Sequence, residues 1–454
     1  MSNISNIIVA IYNFLWGDLI TLNFKGTSIG IPLLVILLIP TGIYFTVRTR
    51  FMPIRKLPQM VRALGEKKDD KSNLSTFQTL IVSTATRVGM GNLVGVVAAV
   101  SVGGAGAVFW MWVSAFLGAS TAYVEGTLAQ LHKKKDPLYG GYHGGPAYFV
   151  EQKRKKKIKK SFIAILFAIF GLICWCGISQ VVSNSVTSAF KNAFSIPPIY
   201  TTVVLVIIAA VIVLRKNATV RVLDIIVPIM AVVYFLVTIF IIVKNINLMP
   251  GVFERIFKEA FGLKQVAGGG FGAVLMNGIK RGLFSNEAGS GSAPCAAAAA
   301  EGKKPQTVGM VQSLGVLIDT IVICTCTAMI MLLVPEEITK GKQGMDLLQC
   351  AMDYHLGSFG TIFVAIILFL FSFSTFIGIL FYARSNVAYI CGNNWWSQTL
   401  YKIVALVMLF IGGLQAYTIV WDLGDVGIGL MTIVNLIIII PMSSQAIKLL
   451  DKKD

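Results

Sequence analysis

Apolar residues in this chain come in long runs with no strand-like alternation. Eleven runs, at 30–48, 75–101, 104–131, 161–193, 198–214, 219–243, 267–299, 305–334, 357–391, 395–411 and 414–444, are rich in Ile, Leu, Val, Phe, Ala and Gly and poor in charge. Each is near or above the roughly 20 residues a helix needs to cross hydrocarbon. The short alternating segments of an outer-membrane barrel do not occur. The pattern predicts an all-α integral membrane protein with eleven transmembrane helices. Residues 6–16, NIIVAIYNFLW, predict an amphipathic helix lying in the interface with Trp16 at headgroup level. Residues 1–20 lack a basic n-region and an A-x-A site, so no cleaved leader is expected.

Composition agrees: 56% of residues are hydrophobic and 13% charged. The net charge of +18 is gathered in a few loops and makes no nucleic-acid-binding face. Eight Lys/Arg lie between Arg48 and Asn73 and ten lie in 132–160, including KRKKKIKK, while Arg215, Lys216 and Arg221 follow a further odd crossing. Loop 335–358 has two lysines against Glu336, Glu337, Asp346 and Asp353. The positive-inside rule then predicts an external N-terminus and a cytoplasmic C-terminus, which an odd number of spans requires. KRKKKIKK is expected to set orientation and to attract anionic membrane lipids.

With the first span set aside, ten remain and divide into two fives. Each five opens on a long segment interrupted by glycine, at Gly89-Met90-Gly91-Asn92 and at 285–292, SNEAGSGS. Five is odd, so the second group enters the membrane from the opposite side. This arrangement points to two inverted five-helix repeats with broken first helices plus one extra N-terminal helix. The chain divides accordingly into 1–74, 75–243, an external interfacial segment 244–266, 267–444 and a tail 445–454.

Breaks in mid-membrane free backbone N–H and C=O groups, and a ligand can satisfy them. A half-helix N-terminus presents donors to a carboxylate, while carbonyls at the other end suit a cation. A zwitterionic amino acid with a co-transported cation matches that geometry, with Asn92 and Asn286 adding amides. Glycine clusters also let helices pack closely, but two at matched positions, each beside a polar residue, favour a binding site. Arg87 and the Lys280/Arg281 pair need partners at such depth, and Glu125 or Glu287 could serve Arg87. Glu287, Asp319 and Asp224 are expected to be structural pairs first and proton or cation relays second.

Four motifs in order carry a family resemblance: FQTLIVSTATRVGMGNLVGV, GGAGAVFWMWVSAFLG, HGGPAYFVEQ and KRGLFSNEAGSGSAPCAAAAAE. From about Phe51 to Pro441 the chain resembles the alanine or glycine:cation symporters, also called sodium:alanine symporters. The resemblance implies a leucine-transporter-type core working by alternating access, a small neutral amino acid as substrate, and sodium, or in some members protons, as coupling ion. It places substrate at Gly89, Met90, Gly91, Asn92 and Asn286, and the cation between carbonyls of Ala85 and Val88 and the hydroxyls of Ser374 and Thr375. Transmembrane Ser and Thr more often bond their own carbonyls, so these two hydroxyls alone say little. No organic cofactor is implied. A prokaryotic inner membrane is the implied home.

Departures from the family pattern fall at Met90, Val182 and Ile379, where members commonly carry Thr, Gln, and Trp or Asn, and at Ala383-Arg384 in place of Gly-Glu. These changes imply a neutral, apolar pocket and leave open whether it is sized for alanine and glycine or for a larger aliphatic or amide amino acid. One methylene there is worth about 1–3 kcal/mol. A membrane enzyme is not expected: HExxH, G-x-S-x-G and CxxCH are absent, and the three histidines fall at span ends or in loops, as solvated positions would. The seven cysteines lie mostly in apolar runs and read as small core residues. An amino-acid-gated channel or a sensor is the remaining alternative, distinguished by the lack of coupled, saturable flux.

Overall fold

In hydrocarbon the backbone has no partner but itself, so long apolar runs wind into helices. The computed structural model describes residues 2–24, 27–64, 89–153, 160–215, 219–262, 270–300 and 304–451. Helix α1 (Ser2–Trp16) leads into a hairpin of β1 (Asp18–Phe24) and β2 (Thr27–Pro32), and α2 spans Leu33–Arg48. A π-helical stretch, Gly91–Gly95, runs into α3 (Val96–Gly103), and α4 covers Gly106–Leu131. A two-residue strand pair, β3 (Lys134–Lys135) with β4 (Tyr142–His143), precedes α5 (Pro146–Lys153) and α6 (Phe162–Phe194). Then come α7 (Pro198–Val213), α8 (Thr219–Lys244), α9 (Met249–Ala260), α10 (Phe271–Asn286) and α11 (Ala293–Ala297). Next, α12 (Pro305–Leu317) continues through a π-helical stretch, Ile318–Cys324, into α13 (Thr325–Leu332). The chain closes with α14 (Gly344–Leu356), α15 (Ser358–Cys391), α16 (Trp395–Leu414) and α17 (Tyr417–Leu450).

Among the described residues, α4, α6, α12 through α13, α15, α16 and α17 are long and apolar enough to cross a bilayer. A seventh segment joins them if Ile229–Lys244 and Ile246–Ala260, which meet at 73°, count as one. The protein is a mostly helical, multi-pass membrane protein, with small hairpins that an all-α reading did not include. One of them takes residues 27–32, so α2 starts at Leu33, after Pro32 in extended conformation.

Close helix contacts set the core. Helix α6 packs on α15, α16 and α17, and α4 packs on α12 and α10. Glycine makes these approaches possible: a Cβ on Gly412 would stand 2.2 Å from Gln180 Cα, and one on Gly309 would stand 2.7 Å from the Tyr123 carbonyl oxygen. The 244–266 segment is anchored where α9 crosses the start of α4. There Glu259 Oε2 accepts the Ala105 N–H at 2.6 Å, and Trp110 Nε1 donates to the Ala260 carbonyl at 3.0 Å. An acidic group is favourable at that helix N-terminus.

Two sequence expectations need correction. Trp16 does not face headgroups: it is 1% exposed and its indole N–H donates to the Asp425 carbonyl at 3.0 Å. The histidines are not solvated either. His132 Nε2 pairs with Gln445 Oε1 at 2.8 Å, His355 Nε2 donates to the Ile330 carbonyl at 2.9 Å, and His143 is buried beside Asp136. His132 and His355 found polar partners on other elements, and His143 found one in its own loop, none of which a position at a span end could reveal. Buried cysteines at 174, 295, 324 and 326 match the core reading.

Candidate functional site: two helix breaks in contact

The two glycine clusters meet. A Cβ on Gly91 would lie 3.1 Å from Ser285 Cα, and one on Gly95 would lie 3.6 Å from Phe284 Cδ1. At Gly91 the approach is tighter than a side chain normally tolerates, whereas at Gly95 it is an ordinary contact. At the first cluster Gly89 stands outside the helix, and its N–H donates to Asn92 Oδ1 at 3.0 Å; the Met90 N–H donates to Thr375 Oγ1 at 3.0 Å. From Gly91 the chain is wound as π-helix, so these glycines widen the helix where unwound chain was expected. Such π-turns are frequent at functional sites. Residues Ala85, Arg87 and Val88 lie outside the described residues.

At the second cluster α10 stops at Asn286 because Glu287 turns into the left-handed region (φ 58°), followed by Gly289 (φ 91°) and Gly291 (φ 83°). Helix resumes at Ala293, with Pro294 in its first turn. Asn286 caps the turn: its Oδ1 accepts the Ala288 N–H at 3.0 Å and its Nδ2 donates to Thr320 Oγ1 at 3.2 Å.

A buried polar cluster joins the breaks. Asn92 Nδ2 donates to Asp319 Oδ1 at 2.7 Å and lies 3.2 Å from Ser285 Oγ. The hydroxyls of Ser285 and Thr320 donate to Asp319 Oδ2 at 2.9 and 2.8 Å. Asp319 belongs to the π-helical stretch Ile318–Cys324, so a second widened turn faces the first.

The N–H groups of the second break already have an anion. Glu125 of α4 accepts the Gly289 N–H on Oε2 and the Gly291 N–H on Oε1, both at 3.1 Å. Asn435 of α17 donates to Glu125 Oε1 at 2.6 Å and to the Gly289 carbonyl at 2.9 Å. Charge-assisted bonds of this kind are about twice as strong as neutral ones. Six and seven residues before Glu287, Arg281 grips Asp425 with two bonds, 2.9 and 2.7 Å, and Lys280 Nζ stands 3.2 Å from the same carboxylate.

The residues expected at the site fall into three groups. Gly89, Met90, Gly91, Asn92, Asn286 and Thr375 come together where the two glycine clusters meet, joined there by Ser285, which the sequence reading did not name as a site residue. Val182, Ile379 and Met90 are buried in one apolar core, on packed helices α6 and α15 and beside the first break. Ser374 donates to its own helix's Phe371 carbonyl at 2.8 Å, the bland behaviour expected of such a residue. Sequence reading named Glu125 only as a partner for Arg87, and it did not single out Asp425 or Asn435. The signal for the last two was present: WDLGDVG and IVNL each place a polar group within an apolar run, where it needs a partner. Among the described residues, no group of three or more His, Cys, Asp or Glu converges as a metal site. The oxygens that do converge are carbonyls, hydroxyls and one carboxylate, the hard donors an alkali cation takes.

Outside the membrane, loop 132–145 closes on the ends of α15 and α16. Burial opposes ionisation of Asp136, but His143 at 3.6 Å, the Arg384 guanidinium at 3.2 Å, Asn393 and the Tyr139 N–H outweigh it and hold Asp136 well below the usual carboxylate range. Gly145 (φ 123°) presses on Cys295 of α11, and Tyr148 donates to the Ser385 carbonyl at 2.9 Å. The HGGPAYFVEQ motif thus ties the loop to the second break.

A broken helix whose glycine-rich turn meets a π-helical glycine cluster, inside a bundle of long apolar helices, is the kind of arrangement secondary transporters use for their sites. A family profile described as "Sodium:alanine symporter family" matches residues 18–453, and the chain belongs to that family. It is 40% identical over 438 residues to the "Amino-acid carrier protein AlsT" of Bacillus subtilis (strain 168), covering 94% of this chain and 91% of that one. It is 41% identical over 415 residues to the "Probable sodium/glutamine symporter GlnT" of the same organism, covering 90% and 85%. A crystal structure of MhsT in complex with L-phenylalanine superposes with a TM-score of 0.56 at 14% identity, covering 80% of this chain and 88% of that one, and so shares the fold. The protein is an amino-acid symporter and not an enzyme.

Proposed function

We propose that this protein imports a small neutral amino acid, alanine or glycine foremost, coupled to sodium by alternating access. Eleven spans form one extra N-terminal helix and two inverted five-helix repeats, with the N-terminus external, the C-terminus cytoplasmic and a prokaryotic inner membrane as its site. The observation that carries the reading is the close contact of the two glycine clusters across Gly91 and Ser285. The Gly289 and Gly291 N–H groups are held by the Glu125 carboxylate, whereas those of Gly89 and Met90 are held by the neutral acceptors Asn92 Oδ1 and Thr375 Oγ1, so the substrate carboxylate is assigned to the first cluster, at Gly89 to Asn92. Met90, Val182 and Ile379 then supply apolar wall, and Asn286 shapes the second break from its cap. Sodium is assigned to Thr375 with Ala85, Val88 and Ser374.

A larger amide substrate is the second reading, favoured by the 41% identity to a probable sodium/glutamine symporter. Proton coupling is a further variant, for which Asp319 is the relay candidate. Uptake of radiolabelled alanine into proteoliposomes, with and without a sodium gradient and against a panel of unlabelled amino acids, tests all three. Saturable uptake stimulated by sodium, with alanine and glycine the best competitors, is expected. Glutamine ranking first would select the second reading, and uptake driven only by a proton gradient would overturn the ion. Flux without saturation would mean a channel.

A further inference from the structure

Asp425 carries one negative charge and faces two cations. Arg281 takes both of its oxygens, Lys280 Nζ stands 3.2 Å from Oδ2, and all three side chains are almost wholly buried. Asp422, one turn back on α17, is close enough to feel both cations electrostatically. A buried ammonium that shares its carboxylate with a bidentate arginine needs further partners. Helix α1 supplies them. Tyr12 Oη accepts from Lys280 Nζ at 2.8 Å, and that Nζ lies 5.0 Å from the centre of the Tyr12 ring and 5.8 Å from that of Trp16. The Trp16 indole donates to the Asp425 carbonyl at 3.0 Å. Gly429 makes room for this contact: a Cβ there would stand 3.0 Å from Leu15 Cδ1 and 3.4 Å from Trp16 Nε1.

Lys280 belongs to the first half of the second broken helix and Asp425 to α17. Between the same two helices, the Arg281 guanidinium lies 3.9 Å from the Trp421 ring centre and the Phe284 ring lies 4.9 Å from it, immediately before the break on its Phe271 side. This stack closes the seam between α10 and α17.

We propose that Tyr12 and Trp16 are positioning residues for transport. Helix α1 is a clamp that holds α10 against α17 through the Lys280 ammonium and the Asp425 carbonyl, and it must yield when that seam parts. The inference rests on the alternating-access reading above. It also gives the N-terminal helix a task that membrane anchoring does not require.

The test uses the full chain with Tyr12→Phe, Trp16→Phe and both together; Tyr12→Phe keeps its ring, Trp16→Phe keeps a smaller aromatic ring in place of the indole, and each removes its hydrogen bond. Three quantities are measured: melting temperature, half-saturation for alanine uptake under a sodium gradient, and hydrogen–deuterium exchange of peptides from 271–286. Melting within a few degrees of wild type is expected, with half-saturation lowered and exchange quickened by about 3- to 10-fold, the scale of one net hydrogen bond acting on a two-state population. Unchanged half-saturation and exchange would overturn the clamp, as would melting and uptake that fall together with no selective change in α10. A wild-type protein that carries no amino acid would sink the transport reading instead, and the exchange measurement would still decide the clamp.

Discussion

Replacing Glu125 with Gln tests how the second break is held. Among the described residues the carboxylate accepts the Gly289 and Gly291 N–H groups at 3.1 Å and Asn435 Nδ2 at 2.6 Å, in a position 1% exposed. Glutamine keeps one acceptor oxygen and turns an NH2 group toward donors, so at least one buried N–H loses its partner. That loss costs about 1–3 kcal/mol, and the bonds that remain forfeit their charge assistance, for a total of about 2–4 kcal/mol. At 1.4 kcal/mol per factor of ten, this is a shift of about 30- to 700-fold away from the arrangement in which residues 287–292 are ordered. Melting in detergent and equilibrium binding of labelled amino acid in saturating sodium measure it, and both should fall. Asn435→Ala should fall less, and the double variant should be far from additive because the two groups touch. A Glu125→Gln protein with wild-type melting and wild-type affinity would refute the assignment of Glu125 as the break's resident anion.

Three further outcomes follow from other contacts. Thr375→Ala should raise the sodium concentration for half-maximal uptake several-fold and Ser374→Ala should raise it less, because Thr375 also engages the first cluster at the Met90 N–H while Ser374 bonds its own helix's Phe371 carbonyl; no change in either variant would send the cation elsewhere. Asp425→Asn leaves Lys280 and Arg281 buried without their counter-charge and should cost about 3–5 kcal/mol, read as a large drop in melting temperature and yield. The third outcome concerns His355. Burial lowers its pKa, the Ile330 carbonyl opposes the shift and Lys244 adds to it. A depressed folded-state value means that the unfolded chain takes up the proton first as pH falls. The stabilisation is therefore complete above the ordinary histidine pKa of about 6.5 and lost below it. Melting should decline between about pH 7.5 and 5.5, and His355→Gln, which keeps a donor for Ile330, should flatten that decline.

A multi-pass helical membrane protein and the break after Asn286 were legible in the sequence for one reason: hydrocarbon penalises polar backbone so heavily that each crossing must be a long apolar run and each exception must be costly. Gly91, Asn92 and Asn286 stood out as such exceptions, and they do meet. The partners of the exceptions were not legible. Nothing local in VEGT tells that Glu125 reaches the Gly289 and Gly291 N–H groups, and nothing near Lys280 tells that its cage comes from Tyr12 and Trp16. Those pairings are set by helix packing across the whole chain, which a hydropathy pattern does not encode. The histidines show the same limit, since a ring at a span end can be solvated or buried depending on an element it never neighbours in sequence.

The knot at the second break also dictates an order of assembly. Glu125 and Asn435 are 310 positions apart, and Arg281 and Asp425 are 144 apart, so both partners on α17 are synthesised last. Until α17 inserts, a nascent chain holds Arg281 and Lys280 in the membrane without Asp425, and the Gly289 carbonyl without Asn435. A chain interrupted before Tyr417 therefore holds Lys280 and Arg281 without the carboxylate that pairs with them and the Gly289 carbonyl without its amide partner, and the helices made earlier are matched electrostatically only once α17 packs against them.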